Sequence, residues 1–321
     1  MRQRDNPARP VLAVPGSVAP TLAALHRHSE ADWRRIFATQ PELTVAWINL
    51  AARSGFKAAQ LVLGQMHLDG QGVVRDPAAA YAWFVKAAAI GSVEARNMVG
   101  RCHELGWGVP VDQAEALRQY RKAAASGLAW AQYNTGCLLL YGTGVRRDHR
   151  EAVLQFQAAV SQDHAKAMGL LGRCHEEGWG VPVDRGLAAS WYARGARGGD
   201  CWSAFNLGLM LAEDEAPCAA TDWLERAVVT ATPNCLAAIS KTLMTQSDPA
   251  LQRIGFKALD LLQPEHSKAS RSKAVLTGNI HYPPNHPARR SRRINIVVSS
   301  ISGLMLLMMA SVAYRWDRLR R

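Results

Sequence analysis

The sequence predicts an all-α protein: an α/α solenoid of about 36-residue helix-turn-helix repeats, with a C-terminal transmembrane helix. Three observations carry this reading. Gly100–Asp112, GRCHELGWGVPVD, returns at Gly172–Asp184 as GRCHEEGWGVPVD with one change, Leu105 against Glu177. Half of that offset also maps the chain onto itself: Gly64, Gly100, Gly136, Gly172 and Gly208 lie 36 apart, as do Gly72, Gly108, Gly144 and Gly180, and Asp76, Asp112, Asp148 and Asp184. A fixed period of this size marks the stacking of one supersecondary unit. The third observation is Ile294–Tyr314, 21 residues without a charged side chain. At about 1.5 Å per residue this run matches a bilayer core of roughly 30 Å.

Residues 1–20 carry Arg2, Arg4 and Arg9, and Pro15 interrupts VLAVPGSVAP before it becomes a signal-sequence core. They read as an uncleaved basic tail, with a transit segment as the alternative. Thr21–Ala38 is expected to be a helix with Leu22, Leu25, Trp33 and Ile36 on its apolar side. Glu42–Gly55 is a second-helix half-unit, because Trp47, Ala51, Ala52 and Gly55 precede Trp83, Ala87, Ala88 and Gly91 by 36 residues. Residues 21–56 are therefore assigned as the N-terminal cap.

Residues 57–200 hold four regular units of two helices each. In Val93–Leu105, Ala95, Val99, Gly100 and Cys102 form the inward stripe. Gly106 ends that helix in the left-handed conformation open to glycine, as Gly70, Gly142 and Gly178 do in theirs. Gly108 allows a second turn and Val109 plugs it with an apolar side chain. Asp112 then caps the second helix, with Glu115 at capping-box spacing; Asp148 and Glu151 repeat this, and Asp76 is followed by Pro77. The second helices carry alanines and one aromatic at fixed positions: Ala80, Phe84, Ala87 and Ala88, then Ala116, Tyr120, Ala123 and Ala124. The helical glycine costs about 1 kcal/mol against alanine. Its fivefold return implies that something packs against it.

Beyond Asp200 the pattern decays. Asn206-Leu207-Gly208 keeps a first helix, but the glycine turn is missing and DWLERAV at 222–228 arrives four residues early, so the loop is shortened. Asp248 through Ala258 echoes Asp76 through Ala87. Residues 201–263 are thus degenerate repeats and a C-terminal cap, as expected where a stack meets water. Residues 264–293, with four prolines and no helical period, read as a flexible basic linker, 294–314 as the membrane helix and 315–321 as a basic tail.

The pattern A-x-x-x-L-G-x-x-x-x-x-G-x-G-V-x-x-D, then A-x-x-x-Y/F-x-x-A-A-x-x-G, resembles the Sel-one-like repeat (SLR) family over Lys57–Asp200. The resemblance implies a solenoid related to tetratricopeptide repeats and a non-enzymatic adaptor that holds other proteins, with no cofactor. It also implies that the first helices line a concave groove. With the helix glycine as eighth position, the groove-facing second position reads Ala58, Glu94, Trp130, Lys166 and Trp202. Trp130 and Trp202 are candidate anchors for a partner protein or peptide, with packing between units as the competing role. The ninth and twelfth positions give Arg101, Arg173, Glu104 and Glu176 as candidate grips on a partner's charges, with pairing among themselves as the alternative. Tyr133 and Phe205 occupy a position that is aromatic in the family for packing, and are expected in the core.

The net charge of +12 is concentrated at the ends, since residues 264–321 hold eleven Lys/Arg against two acids. That placement favours attraction to anionic lipid over nucleic-acid binding, the latter retained as an alternative through RRSRR. Arginines 289, 290, 292 and 293 precede the membrane run and 315, 318, 320 and 321 follow it, so charge leaves its orientation nearly tied. The expected topology is tail-anchored and single-pass, with the repeat body in the cytoplasm and a bacterial inner membrane as the site. Ser299 and Gly303 give the small-xxx-small spacing of a pairing helix, pointing to a homodimer through it.

The six cysteines supply at most one to each clear repeat. The cysteine-rich secreted relatives carry a pair inside every repeat, so free thiols are expected, and an envelope ligand-binding protein or enzyme remains the alternative. Cys102-His103-Glu104 and its copy at 174–176 are read as structural, because adjacent helical residues diverge by about 100° and do not converge on one metal. GWGVP lacks the Lys-Ser/Thr of a phosphate loop and serves as a turn.

Overall fold

The computed structural model describes residue 21 and residues 41–263. The expected helix at Thr21–Ala38, the linker and the membrane run Ile294–Tyr314 lie outside these. Among the described residues there are thirteen helices and no strand: α1 (Pro41–Arg53), α2 (Lys57–Asp69), α3 (Pro77–Ala89), α4 (Val93–Leu105), α5 (Gln113–Ala125), α6 (Ala129–Tyr141), α7 (His149–Val160), α8 (Ala165–Glu177), α9 (Arg185–Arg197), α10 (Cys201–Glu213), α11 (Pro217–Thr230), α12 (Pro233–Leu243) and α13 (Pro249–Leu262). Each packs on its chain neighbours, so the architecture is a one-dimensional stack of antiparallel pairs.

The turns within the pairs are built as the sequence implies. Gly70, Gly106, Gly142 and Gly178 have φ of 72°, 71°, 65° and 72° and return their N–H groups to the preceding helix. Asp112, Asp148 and Asp184 accept from the N–H groups of Glu115, Glu151 and Leu187 at 2.8–2.9 Å. The reciprocal half of the capping box is replaced. Each cap's own N–H donates across the pair, Asp76 to His67 O, Asp112 to His103 O, Asp148 to Leu139 O and Asp184 to His175 O, at 2.8–2.9 Å. The glutamates turn outward instead, Glu115 to Arg118 and Glu151 to Arg121.

The packing reason for the helical glycines is a ring. A Cβ at Gly64 would stand 2.6 Å from Phe84, at Gly100 2.7 Å from Tyr120, at Gly136 2.5 Å from Phe156 and at Gly172 2.9 Å from Tyr192. Leu224 takes the ring's place against Gly208 at 2.6 Å. These rings are fully buried, with Tyr133 and Leu170 among the core side chains around them. Gly136→Ala is therefore expected to lose about 2 kcal/mol of stability although alanine is the better helix former. Gly186→Ala in α9 is the control: its Cβ meets only the Asp184 carboxylate at 3.6 Å, and it should gain up to about 1 kcal/mol. Urea midpoints of the two variants check this.

The turn glycines Gly72, Gly108, Gly144 and Gly180 join one unit to the next. Their Cα atoms lie against the start of the previous unit's second helix. An added Cβ would stand 2.7 Å from Val45 Cγ2, 2.1 Å from Pro77 O, 2.7 Å from Gln113 Cγ and 2.4 Å from His149 O, respectively.

The C-terminal units depart as expected in spacing and differ in how they close. Only Asp214–Ala216 separates α10 from α11, where the regular units use seven residues such as Gly70–Asp76. In place of the glycine turn, Arg185 at the start of α9 bonds Glu213 at 2.9 Å and Asp214 at 3.0 Å. The last hairpin, α12 with α13, is capped by Thr232 and Asp248. Trp47 of α1 is 1% exposed, which seats the N-terminal half-unit in the same core.

Candidate functional site

The first helices α4, α6, α8 and α10 bring four of the six proposed anchors and several further side chains to one face. Trp130, at the second residue of α6, is 37% exposed. Its ring meets His164 edge-on at 4.4 Å and Tyr133 edge-on at 6.1 Å, while His164 stacks on Tyr133 at 4.9 Å. Lys166, at the second residue of α8, places Nζ 5.8 Å from the Trp130 ring centre. Trp202, one repeat further along the same column, is half-buried and packs edge-on against Phe205 at 6.3 Å. Trp130 is thus the open indole of the pair and Trp202 the wedged one. Tyr133 and Phe205 are buried, as their repeat position implies.

Below this surface lies a polar layer. Asp200, the cap of α10, is 4% exposed and accepts from Ser203 N at 2.9 Å and from Ser203 Oγ at 2.6 Å. Burial raises its carboxyl above the ordinary value, opposed by the Ser203 hydrogen bonds and by Lys166. Burial likewise lowers the Lys166 ammonium, and Asp200 opposes that shift. The Arg101 guanidinium of α4 adds to the lowering of Lys166. His164, the cap of α8, accepts from Ala167 N through Nδ1 at 3.2 Å. Burial, with help from the Lys166 charge, pushes its pKa down to about 4.

The ninth- and twelfth-position residues divide. Arg101 lies over the Trp107 ring at 4.8 Å and Arg173 over Trp179 at 5.1 Å, each stacked on the tryptophan of its own turn. Both remain partly open, and the stacked guanidinium keeps its edge for a carboxylate. Glu104 and Glu176 have internal work: Tyr120 Oη donates to Glu104 at 2.5 Å and Tyr192 Oη to Glu176 at 2.6 Å. Burial raises both phenols first, and the carboxylates add to it. Each glutamate therefore fixes the ring that fills its glycine notch.

Sequence reasoning placed Lys166 in the tryptophan column without singling it out, and it passed over His164 and Asp200. The signal for His164 and Asp200 was the cap column Phe56, Ser92, Leu128, His164 and Asp200, which varies where its neighbours repeat. Cys102 and Cys174 are buried, with thiols pushed up to about 12 by burial. Among the described residues, no three His, Cys, Asp or Glu side chains gather as a metal site would require. His103 meets Tyr81 instead, Tyr81 Oη lying 3.3 Å from Nε2.

Comparison with known proteins agrees with this architecture. The Sel1 repeat family model matches residues 57–92, 93–128, 131–164 and 165–200. The Sel1 repeat protein from Oxalobacter formigenes superposes with a TM-score of 0.62 at 25% identity, over 72% of this chain and 99% of that one. A protective antigen of uropathogenic Escherichia coli with an SLR fold, c5321, gives 0.56 at 20% identity over 76% of this chain. This chain spans 56% of that antigen's length. A comparison with curated proteins gives no match. Sel1 repeats are typically protein–protein interaction modules. Four matched units in register with the 36-residue glycine and aspartate ladders, on helices that pair as that fold requires, make residues 57–200 of this chain a Sel1-repeat solenoid.

Proposed function

We propose that this protein is a non-catalytic adaptor that binds a protein or peptide along the face of its first helices and is held at a membrane by Ile294–Tyr314. The observation that carries the first half is Trp130: an indole 37% exposed yet braced by His164 and Tyr133, with Lys166 beside it and stacked arginines one repeat to either side. A braced aromatic among cations binds with little loss of side-chain freedom, the usual make-up of an interface hot spot. Arg101, Lys166 and Arg173 favour acidic groups on the partner, and Trp202 extends the face by one repeat.

Pull-down with full-length protein tests this. Trp130→Ala is expected to lower recovery of the partner by about 30-fold, the loss of one hot spot of roughly 2 kcal/mol, in a variant that keeps its helical circular dichroism spectrum at the assay temperature. Trp202→Ala should weaken both binding and folding, because its ring is wedged against Phe205. Unchanged recovery by the Trp130→Ala, Trp202→Ala double variant overturns the site. The membrane half rests on the uncharged 21-residue run with arginines at both ends. No helix among the described residues is long and apolar enough to cross a bilayer. Full-length protein should therefore sediment with membranes and a 1–263 truncation should not; equal fractionation of the two overturns the anchor.

A further inference from the structure

The third repeat breaks the pattern of its neighbours at one place. Its turn and the start of α7 read Arg146-Arg147-Asp148-His149-Arg150. One repeat before and after, the Arg146 position holds Pro110 and Pro182, the Arg147 position Val111 and Val183, and the Arg150 position Ala114 and Gly186. The fold gathers the three arginines, with Arg121 of α5, around one cleft of about 750 Å³ that Leu117 and Leu139 also line. Both leucines are buried, so the cleft has an apolar floor and a basic wall. We propose that this cleft binds a phosphorylated serine or threonine side chain of a partner protein.

The charges of the cleft are unevenly used. Arg121 is committed to Glu151 through two hydrogen bonds, at 3.1 Å and 2.6 Å. Asp148 caps α7, accepting from Glu151 N at 2.9 Å, and Arg147 donates to Tyr141 O at 3.2 Å. Arg146 and Arg150 are exposed and bond nothing among the described residues. Once Arg121 and Glu151 cancel, Arg146, Arg147 and Arg150 stand against Asp148, a surplus of two positive charges. A phosphate monoester carries about −1.5 to −2 at neutral pH and presents three acceptor oxygens to forked donors on separate residues. A carboxylate brings one charge and two oxygens. The cleft is open to solvent, which lets a side chain enter while its main chain stays outside. A free phosphorylated metabolite would be left exposed there, whereas small-ligand sites bury most of their ligand. A lipid surface fits less well. The other three turns, with the residue on either side of each, carry Asp69, Asp76, Asp112, Glu177 and Asp184 against Arg75 and Arg185. The edge as a whole therefore offers no excess of positive charge to an anionic bilayer. The cleft follows the C-terminal end of α6 and Trp130 stands at its start, so this site does not depend on the Trp130 face being a binding site.

Full-length protein in non-ionic detergent is titrated into a fluorescein-labelled pentapeptide, Ala-Leu-phosphoserine-Leu-Ala, and followed by fluorescence anisotropy. Saturable binding is expected, about 10-fold or more tighter than for the same peptide with glutamate in place of phosphoserine. The Arg146→Gln, Arg150→Gln double variant should lower that affinity by about 30-fold and keep its helical circular dichroism spectrum, since neither side chain bonds within the described fold. Arg118→Gln, which removes an exposed arginine paired with Glu115 outside the cleft, should leave binding unchanged, as should Trp130→Ala. Equal affinity for the phosphoserine and glutamate peptides, or full affinity in the double variant, overturns the site. O-phosphoserine binding as tightly as the peptide, or soluble dihexanoyl phosphatidic acid binding more tightly than it, points to a metabolite or a lipid headgroup and overturns the protein partner.

Discussion

Gly108→Ala is expected to cost more than 3 kcal/mol and to split the solenoid's unfolding into two phases. Two effects add. The residue sits at φ 72°, where an L side chain costs about 1–2 kcal/mol. Its Cβ would also stand 2.1 Å from Pro77 O and 2.4 Å from Pro77 C, backbone atoms at the start of α3 that cannot rotate away. The turn must lift off the preceding unit. In a stack held by nearest-neighbour interfaces, that uncouples the units before the turn from those after it. Gly127→Ala separates the two effects. Gly127 has φ 86° but nothing within 4 Å of an added Cβ, so only the backbone penalty applies. Urea unfolding followed by far-ultraviolet circular dichroism should show a lower midpoint and a shallower transition for Gly108→Ala, and a small parallel shift for Gly127→Ala. Equal shifts would show that the turn glycine has no role between units.

Acidification from pH 6.5 to pH 4 is expected to cost up to about 3 kcal/mol through His164 alone. The imidazole is held at about 4 in the fold against an ordinary value of 6.5, so between these values the unfolded chain binds the proton and the folded chain does not. Stability from this group is complete above pH 6.5 and is lost as pH falls towards 4. The structural cause is visible. Nδ1 accepts from Ala167 N, which a protonated ring cannot do, and the second nitrogen is buried beside the Lys166 charge. Asp200 works with the opposite sign. Its carboxyl is raised, so its share of stability is present at low pH and is lost as pH rises through its folded value. His164→Asn keeps a cap acceptor and removes the titration. The melting temperature of wild type should fall relative to that of His164→Asn continuously as pH drops from about 6.5 to about 4, with a constant difference above that window. Parallel curves would overturn the assignment. Because His164 braces Trp130, partner binding should weaken over the same range.

The features legible in the sequence were those that the repeat writes several times. Gly106 and Asp112 each had three counterparts, and each has a local cause, a left-handed helix end or a capped helix start, that acts within a few residues. The Gly100 notch was legible as a need for close approach. Its filler, the Tyr120 ring held by Glu104, took the structure to identify, and with it Glu104 and Glu176 gained an internal bond that spacing alone did not show. Arg101 and Arg173 were placed correctly on the helix, yet only the fold shows them lying on Trp107 and Trp179.

From sequence alone came the solenoid, its period, its four regular units, the weakening beyond Asp200 and the column that holds Trp130 and Trp202. These follow from contacts within about 36 residues that recur, and recurrence makes a weak local preference readable. Tertiary structure alone decided how open Trp130 is, that Lys166 lies beside its ring, that His164 stacks on Tyr133 beneath it, and that Gly108 seats on Pro77. Each of those depends on how one unit is rotated and pressed against the next, a relation set by side-chain volumes across an interface and carried by residues that occur only once.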